Sequence, residues 1–312
     1  MNMTDISQRQ NEQGNINKLQ AQRQTYSDIK FWMILIFIVG VVFPVIVSFV
    51  TFIFNNDFFS NLLGFEKKDI GYFSAFVGII STVLVGIISI FIKKMKEDAA
   101  KIQEMFDTNI FQLPWDSINI GNRPDTGFVL KQSKKFKEKY PNYTGFSDWY
   151  TIKAATFKYP EAIAFCQQQN LHWDSSLRIC VMKLSILTLI IIILIMLTLG
   201  ISNDLSMRNF FTNVVLLLFP VCLFFYKMIR EHYETIKEME RLRGRNEDLI
   251  DSTISTDLNM DDFMLKCRQL QTAIYTHRKS ARPIPNWLHK RRKDDQEEES
   301  ADRMQQYLDE HR

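Results

Sequence analysis

Residues 31–54 read FWMILIFIVGVVFPVIVSFVTFIF and contain no Asp, Glu, Lys, Arg or His. Roughly 20 consecutive apolar residues, coiled as a helix, cross the hydrocarbon core of a bilayer. Three more stretches share this property, at 72–92, 184–201 and 210–226. With the apolar residues gathered there, the rest of the 312-residue chain is polar enough to bring the mean hydropathy to -0.12. That clustering excludes a single soluble globular domain. It predicts an all-α membrane protein of two transmembrane helical hairpins, four spans in all, with a helical cytoplasmic region. The first stretch is too long for a signal-peptide core, and Asn55-Asn56-Asp57 after it offers no small-residue cleavage site.

Basic residues give the orientation. The segment before the first span holds four Lys and Arg, 93–183 holds fourteen, and the part after Tyr226 holds seventeen. The loop at 55–71 has only Lys67 and Lys68, and the loop at 202–209 only Arg208. The positive-inside rule then places both termini and the middle region in the cytoplasm. Five segments follow: a cytoplasmic N-terminal helix at 1–30, a hairpin at 31–92, a cytoplasmic helical region at 93–183, a second hairpin at 184–226 and a cytoplasmic helical tail at 227–312. A net charge of +3 is too small to argue for nucleic acid as a partner. Cys166, Cys180, Cys222 and Cys267 form no Cys-x-x-Cys pair and read as free thiols.

In the polar segments, Ile16, Leu19, Arg23 and Tyr26 give a weak apolar stripe, compatible with a surface-lying or a packed helix. Pro44 predicts a kink in the first span. Pro114 ends the helix that follows the second span, Asp125 is placed as an N-cap, and 128–139 reads as a basic amphipathic helix stopped by Tyr140-Pro141. Tyr159-Pro160-Glu161 opens a helix that continues, or restarts, into the third span. Gly244 and Ser252-Thr253 end or interrupt the helix after the fourth. Phe263 to Lys279 is a further helix, and Pro283-Ile284-Pro285-Asn286-Trp287 a rigid turn presenting Trp287 for docking.

No Walker loop, dinucleotide turn, His-Glu-x-x-His or nucleophile elbow occurs, and the five histidines have no ligand-like spacing. The residues therefore point to no enzyme, no metal and no cofactor. Two sets carry other chemistry. Ser74, Gly78, Ser81, Thr82, Gly86 and Ser89 put small and hydroxyl residues along one face of the second span. Such a face packs helices closely, or lines an aqueous pore after homo-oligomerisation. In the middle region Arg123, Lys131, Lys134, Lys135 and Arg178 lie near Trp149, Tyr150 and Trp173 in sequence. Cations for phosphate and flat rings for bases could form a nucleotide site; a basic helix facing anionic lipid headgroups fits the same residues.

Several strings, in order, resemble the SMODS-associated four-transmembrane (S-4TM) family of pore-forming effectors in bacterial anti-phage defence. They are Gln22-Arg23 with Tyr26 and Lys30, Leu113-Pro114-Trp115, Tyr159-Pro160, Cys166-Gln167 with Asn170, Trp173-Asp174, Leu177-Arg178, and Arg282-Pro283-Ile284-Pro285-Asn286-Trp287. Asn286 departs from the Asp expected in the last of them. The resemblance implies a multi-pass protein of the bacterial inner membrane. It would be activated by a nucleotide second messenger from a partner nucleotidyltransferase, in abortive infection of the cyclic-oligonucleotide (CBASS) type. A non-permeabilising membrane scaffold and a constitutive ion channel are the alternatives.

Overall fold

A computed structural model describes residues 4–55, 57–66, 71–151, 157, 159, 161–202, 207, 216–254, 259–284, 288, 298–299, 301–307 and 309–310. Among these residues the chain is helical, with no strand. The helices are α1 (Thr4–Gln10), α2 (Gln13–Phe37), α3 (Phe43–Asn55), α4 (Asp57–Leu63), α5 (Gly71–Phe111), α6 (Ser117–Ile120), α7 (Thr126–Lys139), α8 (Glu161–Ser202), α9 (Leu216–Asp251) and α10 (Met260–Ser280). They divide into a polar body, residues 1–29, 94–180 and 232–312, and an apolar unit, 30–93 and 181–231.

Three helical stretches among the described residues are long and apolar enough to cross a membrane: Gln13–Thr51, Phe76–Phe111 and Glu161–Ile195. Each holds residues of both units. Residues 210–215 of the fourth predicted span lie outside the described residues, and α9 takes up its remainder from Leu216. Pro44 cannot donate to the carbonyl of Gly40, and its ring crowds that carbonyl. The chain meets this with a π turn over Ile38–Val42, where the Phe43 N–H reaches back five residues to the Ile38 carbonyl. Gly40 sits in that turn, and a Cβ there would come within 2.9 Å of Val85 Cγ2, so the glycine permits the approach of α5. Phe37 and Phe224 pack at 4.9 Å between ring centroids. The loop at 55–71 holds a helix the periodicity did not predict, α4, ended by Gly64 at φ 69°.

The polar body has a core of Leu19, Phe106, Ile110, Phe111, Phe136, Phe146, Ile163, Phe165, Leu242, Phe263 and Ile274. Each such side chain stabilises the fold by about 1.5–3 kcal/mol relative to exposure. The helix before the first span is packed, not surface-lying. Leu19 is fully buried, and Asn15, Gln20, Gln22, Gln24 and Thr25 are buried with it. Amides do the joining there: Gln22 Nε2 donates to Gln103 Oε1 at 2.7 Å, and Asn109 Nδ2 to Asn15 Oδ1 at 2.9 Å. Hydropathy does not register such a face, because its contacts are hydrogen bonds.

Asp125 caps α7 as the sequence predicts, accepting the Phe128 N–H at 2.9 Å. Asp116 likewise caps the single turn of α6, and Asn259 caps α10. Helix α8 runs unbroken from Glu161 to Ser202, and α9 passes through Gly244 without interruption. Residues 301–307 are helical, burying Met304 and setting Tyr307 at 5.0 Å from Phe165. Trp287 lies outside the described residues, while Ile284 and Leu288 beside it are buried.

Candidate functional site

The polar body is held by charge as well as by its apolar core. Glu104 and Asp107, one turn apart on α5, are fully buried opposite Arg268, Gln271 and Arg278 of α10. Arg268 Nη2 donates to Glu104 Oε1 at 2.6 Å, and Gln271 Nε2 to Glu104 Oε2 at 2.9 Å. Asp107 Oδ2 accepts from Gln271 at 3.0 Å and from Arg278 Nη1 at 2.5 Å. Its other oxygen takes the Tyr150 hydroxyl at 2.8 Å, and Asn170 donates to that hydroxyl in turn. Two carboxylates meet two guanidiniums, so the group is neutral and all four carboxylate oxygens are engaged.

Burial lifts the Glu104 carboxyl above its ordinary value, outweighing Arg268, and neighbouring Asp107 adds to the lift. Burial, then Asp107, drives Tyr150 well above the usual phenol value. Burial alone would lower Arg278; Asp107, Tyr150 and Glu104 outweigh it and raise the guanidinium instead. Burial also raises the thiols of Cys166 and Cys267, the latter to about 12, so neither is a nucleophile near neutrality. This cluster fastens α5 to α10 and ties in Tyr150 and Asn170.

The eight residues singled out for ligand binding stand in different surroundings. Tyr150 is a core residue: its ring packs near Phe106 and Phe111 and its hydroxyl is spent on Asp107. It therefore has no face for a base, a correction to the sequence reading. Trp149 is half-buried against the same core. Arg178 is corrected as well. It is buried, 4% exposed, and donates to the Arg282 carbonyl at 2.8 Å. Lys131, Lys134 and Lys135 stand on exposed faces of α7, Lys135 paired with Asp28 at 2.8 Å and Lys134 4.0 Å from Glu138. Trp173 lies on α8, with its side chain outside the described residues.

Arg123 is placed differently. Its guanidinium lies over the Trp115 ring, 5.3 Å from the centroid. Trp115 donates its indole N–H to the Gly121 carbonyl at 2.8 Å. Lys18, half-buried on α2, bonds to Asn15 Oδ1 at 2.8 Å. Burial pushes Lys18 below the ordinary lysine value; Glu12 opposes that shift and Arg123 reinforces it. Lys101 brings a third cation, its Nζ 3.7 Å from where a Gly121 Cβ would stand. The sequence reading missed Lys18, Lys101 and Trp115 because they come from separate segments.

The small-residue face of the second span is divided. Ser81 is buried, Gly78 half-buried, and Thr82, Gly86 and Ser89 are exposed; the Ser74 side chain lies outside the described residues. Thr82 and Ser89 return their hydroxyls to the carbonyls of Gly78 and Val85, at 2.8 and 2.7 Å. A Cβ at Gly78 or Gly86 would meet nothing within 4 Å, in contrast to Gly40. Large apolar side chains stand outward on the same helix, with Phe76 61%, Ile79 65% and Ile90 71% exposed.

Against known proteins, the chain matches the SMODS-associating 4TM effector domain over residues 4–307. It is similar to a probable CBASS effector molecule of Bacillus cereus strain VD146, 25% identical over 299 residues, which cover 93% of this chain and 94% of the relative. No solved structure matches it.

Proposed function

Because this chain belongs to the SMODS-associating 4TM effector family and is thereby a membrane effector, we propose that it permeabilises the bacterial inner membrane when a nucleotide second messenger reaches its polar body. The messenger would come from a partner nucleotidyltransferase made active by phage infection, and the outcome would be abortive infection. The resemblance to a probable CBASS effector supports this setting. The observation that carries the reading is an outward apolar surface without ionisable groups, on helices that belong to both units. Phe31 at 64%, Ile79 at 65% and Ile90 at 71% exposure face outward from α2 and α5, and 31–54, 72–92 and 184–201 hold no charged residue. A transporter or proton relay keeps ionisable groups inside its spans; a membrane-disrupting assembly has no such need. No enzymatic step is part of this function.

Four spans from one subunit leave no wide aqueous passage, so the permeabilising species is a homo-oligomer, with Thr82, Gly86 and Ser89 on the face that meets a neighbour or water. Helices α5, α8 and α9 each contribute residues to the polar body and to the apolar unit. Ligand binding shifts such a protein only by its differential affinity for the two states. Residues near the unit boundaries are where a shift would be felt: Lys96 of α5 holds the Ser280 carbonyl at 2.5 Å, and Arg178 of α8 holds that of Arg282. Dye entry into cells expressing the protein with its partner enzyme tests the reading. Leakage that needs both the enzyme and infection is expected; a scaffold would give none. A constitutive channel would conduct in liposomes without nucleotide.

A further inference from the structure

The geometry points to a lipid-facing edge on α7, where Lys131 and Lys139 hold anionic headgroups of the surrounding bilayer and Lys135, between them, sets the depth. These three lysines recur every four residues and so share one side of the helix, with Phe128 one turn before them. The side that packs is a different one. Val129, Ser133 and Phe136 are buried, Val129 against Ala21 and Ile102, and Ser133 donates to Gln20 Oε1 at 2.9 Å. Lys131 and Lys139 are exposed, and among the described residues neither has a carboxylate within the 4.0 Å of an ion pair. The Lys139 ammonium lies 5.4 Å from the centroid of the Tyr140 ring, itself 42% exposed. Aromatic rings and cations are what a chain places at the boundary between membrane and water.

Asp28 fixes the depth of this edge. Its carboxylate takes the Lys135 ammonium at 2.8 Å. It stands on α2, whose charge-free run begins three residues later at Phe31. At 1.5 Å per residue that is about 4.5 Å along the helix axis. A bilayer of roughly 40–45 Å has a hydrocarbon core of roughly 30 Å, which leaves about 5–8 Å of headgroup on each side. With Phe31, 64% exposed, at the hydrocarbon boundary, Asp28 and the Lys135 ammonium bound to it lie among the headgroups. The other edge of α7 is turned away. Lys137 donates to Asn17 Oδ1 at 2.9 Å, about 16 Å back along α2 from Asp28 and beyond the Debye length of about 8 Å in physiological salt. Asp28 by itself repels anionic lipid, and Lys135 cancels it. Glu138, the one acid of α7, stands 4.0 Å from Lys134. Lys131 and Lys139 are then the surplus charge, and at that depth the anion an ammonium meets is a lipid phosphodiester.

The inference needs only that the run from Phe31 lies in a bilayer, so it stands or falls apart from activation by a nucleotide. The test uses the full chain in nanodiscs of phosphatidylglycerol or of phosphatidylcholine, with a neutral acetylating reagent and mass spectrometry to read each lysine. Lys131 and Lys139 should react about fivefold more slowly in phosphatidylglycerol, the factor expected for one lysine at an anionic surface. High salt should remove the difference, and Lys137 should react alike in both lipids. Equal rates for Lys131 and Lys139 in the two lipids overturn the edge, and so does protection that reaches Lys137 to the same degree. Pyrophosphate added to the phosphatidylcholine discs separates the sources: protection matching that in phosphatidylglycerol assigns the edge to a soluble anion and overturns the lipid assignment. A melt provides the second measurement. The parent should melt higher in phosphatidylglycerol than in phosphatidylcholine, Lys131→Gln/Lys139→Gln should lose most of that rise, and Lys137→Gln should keep it. A double variant that keeps the full rise, or a parent that shows none, overturns the proposal.

Discussion

Asp107→Ala is the sharpest probe of what holds the polar body together. The carboxylate is fully buried and accepts from three donors: the Tyr150 hydroxyl, Gln271 Nε2 and Arg278 Nη1. Alanine takes that acceptor from the Tyr150 hydroxyl and from Arg278, a guanidinium with 11% of its side chain exposed, while Gln271 keeps Glu104 Oε2. Removing one partner of a buried ion pair costs about 3–5 kcal/mol, because the other charge is stranded. At roughly 2–4 °C per kcal/mol, the melting midpoint in detergent should fall by about 6–20 °C. The comparison is Asp98→Ala, which removes an i,i+4 pair with Lys94 whose side chains are 67% and 21% exposed; its loss costs at most about 0.5 kcal/mol. Asp107→Leu combined with Arg278→Met should recover much of the loss, since an apolar pair of similar volume is tolerated where a lone charge is not. The measurement is a tryptophan-fluorescence melt of each variant. If Asp107→Ala shifts the midpoint no further than Asp98→Ala, the α5–α10 network is not what fastens the body.

Glu104→Gln should behave differently with pH. Burial raises the folded-state pKa of Glu104, so the folded protein binds that proton more readily than the unfolded chain. The group's contribution is therefore complete below its unfolded value and is lost as pH rises through the raised folded value. The parent should gain stability relative to the variant as pH falls through that window; a difference independent of pH refutes the assignment. Gly40→Leu should lower folded yield and melting temperature, because a Cβ alone would stand 2.9 Å from Val85 Cγ2 and overpacking costs about 1–3 kcal/mol or more. Gly86→Ala, with open space around it, should leave the melt unchanged, and equal melts for the two would contradict the packing. Thr82→Leu should block dye leakage at normal expression if the exposed face of the second span meets a neighbour or water; unchanged leakage removes that face from the mechanism. Maleimide at pH 8 should spare Cys166 and Cys267, whose thiols burial raises, until the protein is denatured; prompt labelling of either in folded protein would show the core to be open.

Much of the architecture was legible in the chain itself. Three of the four charge-free runs fall in helices long and apolar enough to cross a bilayer, where unpaired backbone groups would find no other partner. Local rules also held one residue at a time. Asp125 caps α7 and Tyr140-Pro141 stops it, since capping and proline effects depend only on near neighbours. The π turn over Ile38–Val42 was not legible, although its cause, Pro44, was. A proline announces that a helix must yield; how it yields depends on the helix packed beside it, here through Val85 against Gly40.

The sites were read least well, for a related reason. Proximity in sequence suggested that Tyr150 and Arg178 belonged with the lysines of α7. Folding instead buried Tyr150 against Asp107 and turned Arg178 to the Arg282 carbonyl, more than a hundred residues away in the chain. The buried pairs Glu104–Arg268 and Asp107–Arg278 join residues far apart in the chain. Hydropathy and spacing are local quantities, so the sequence by itself determined where the membrane helices lie and where the polar helices start and stop. Which charges neutralise one another depends on distances through space, and only the tertiary structure decided those.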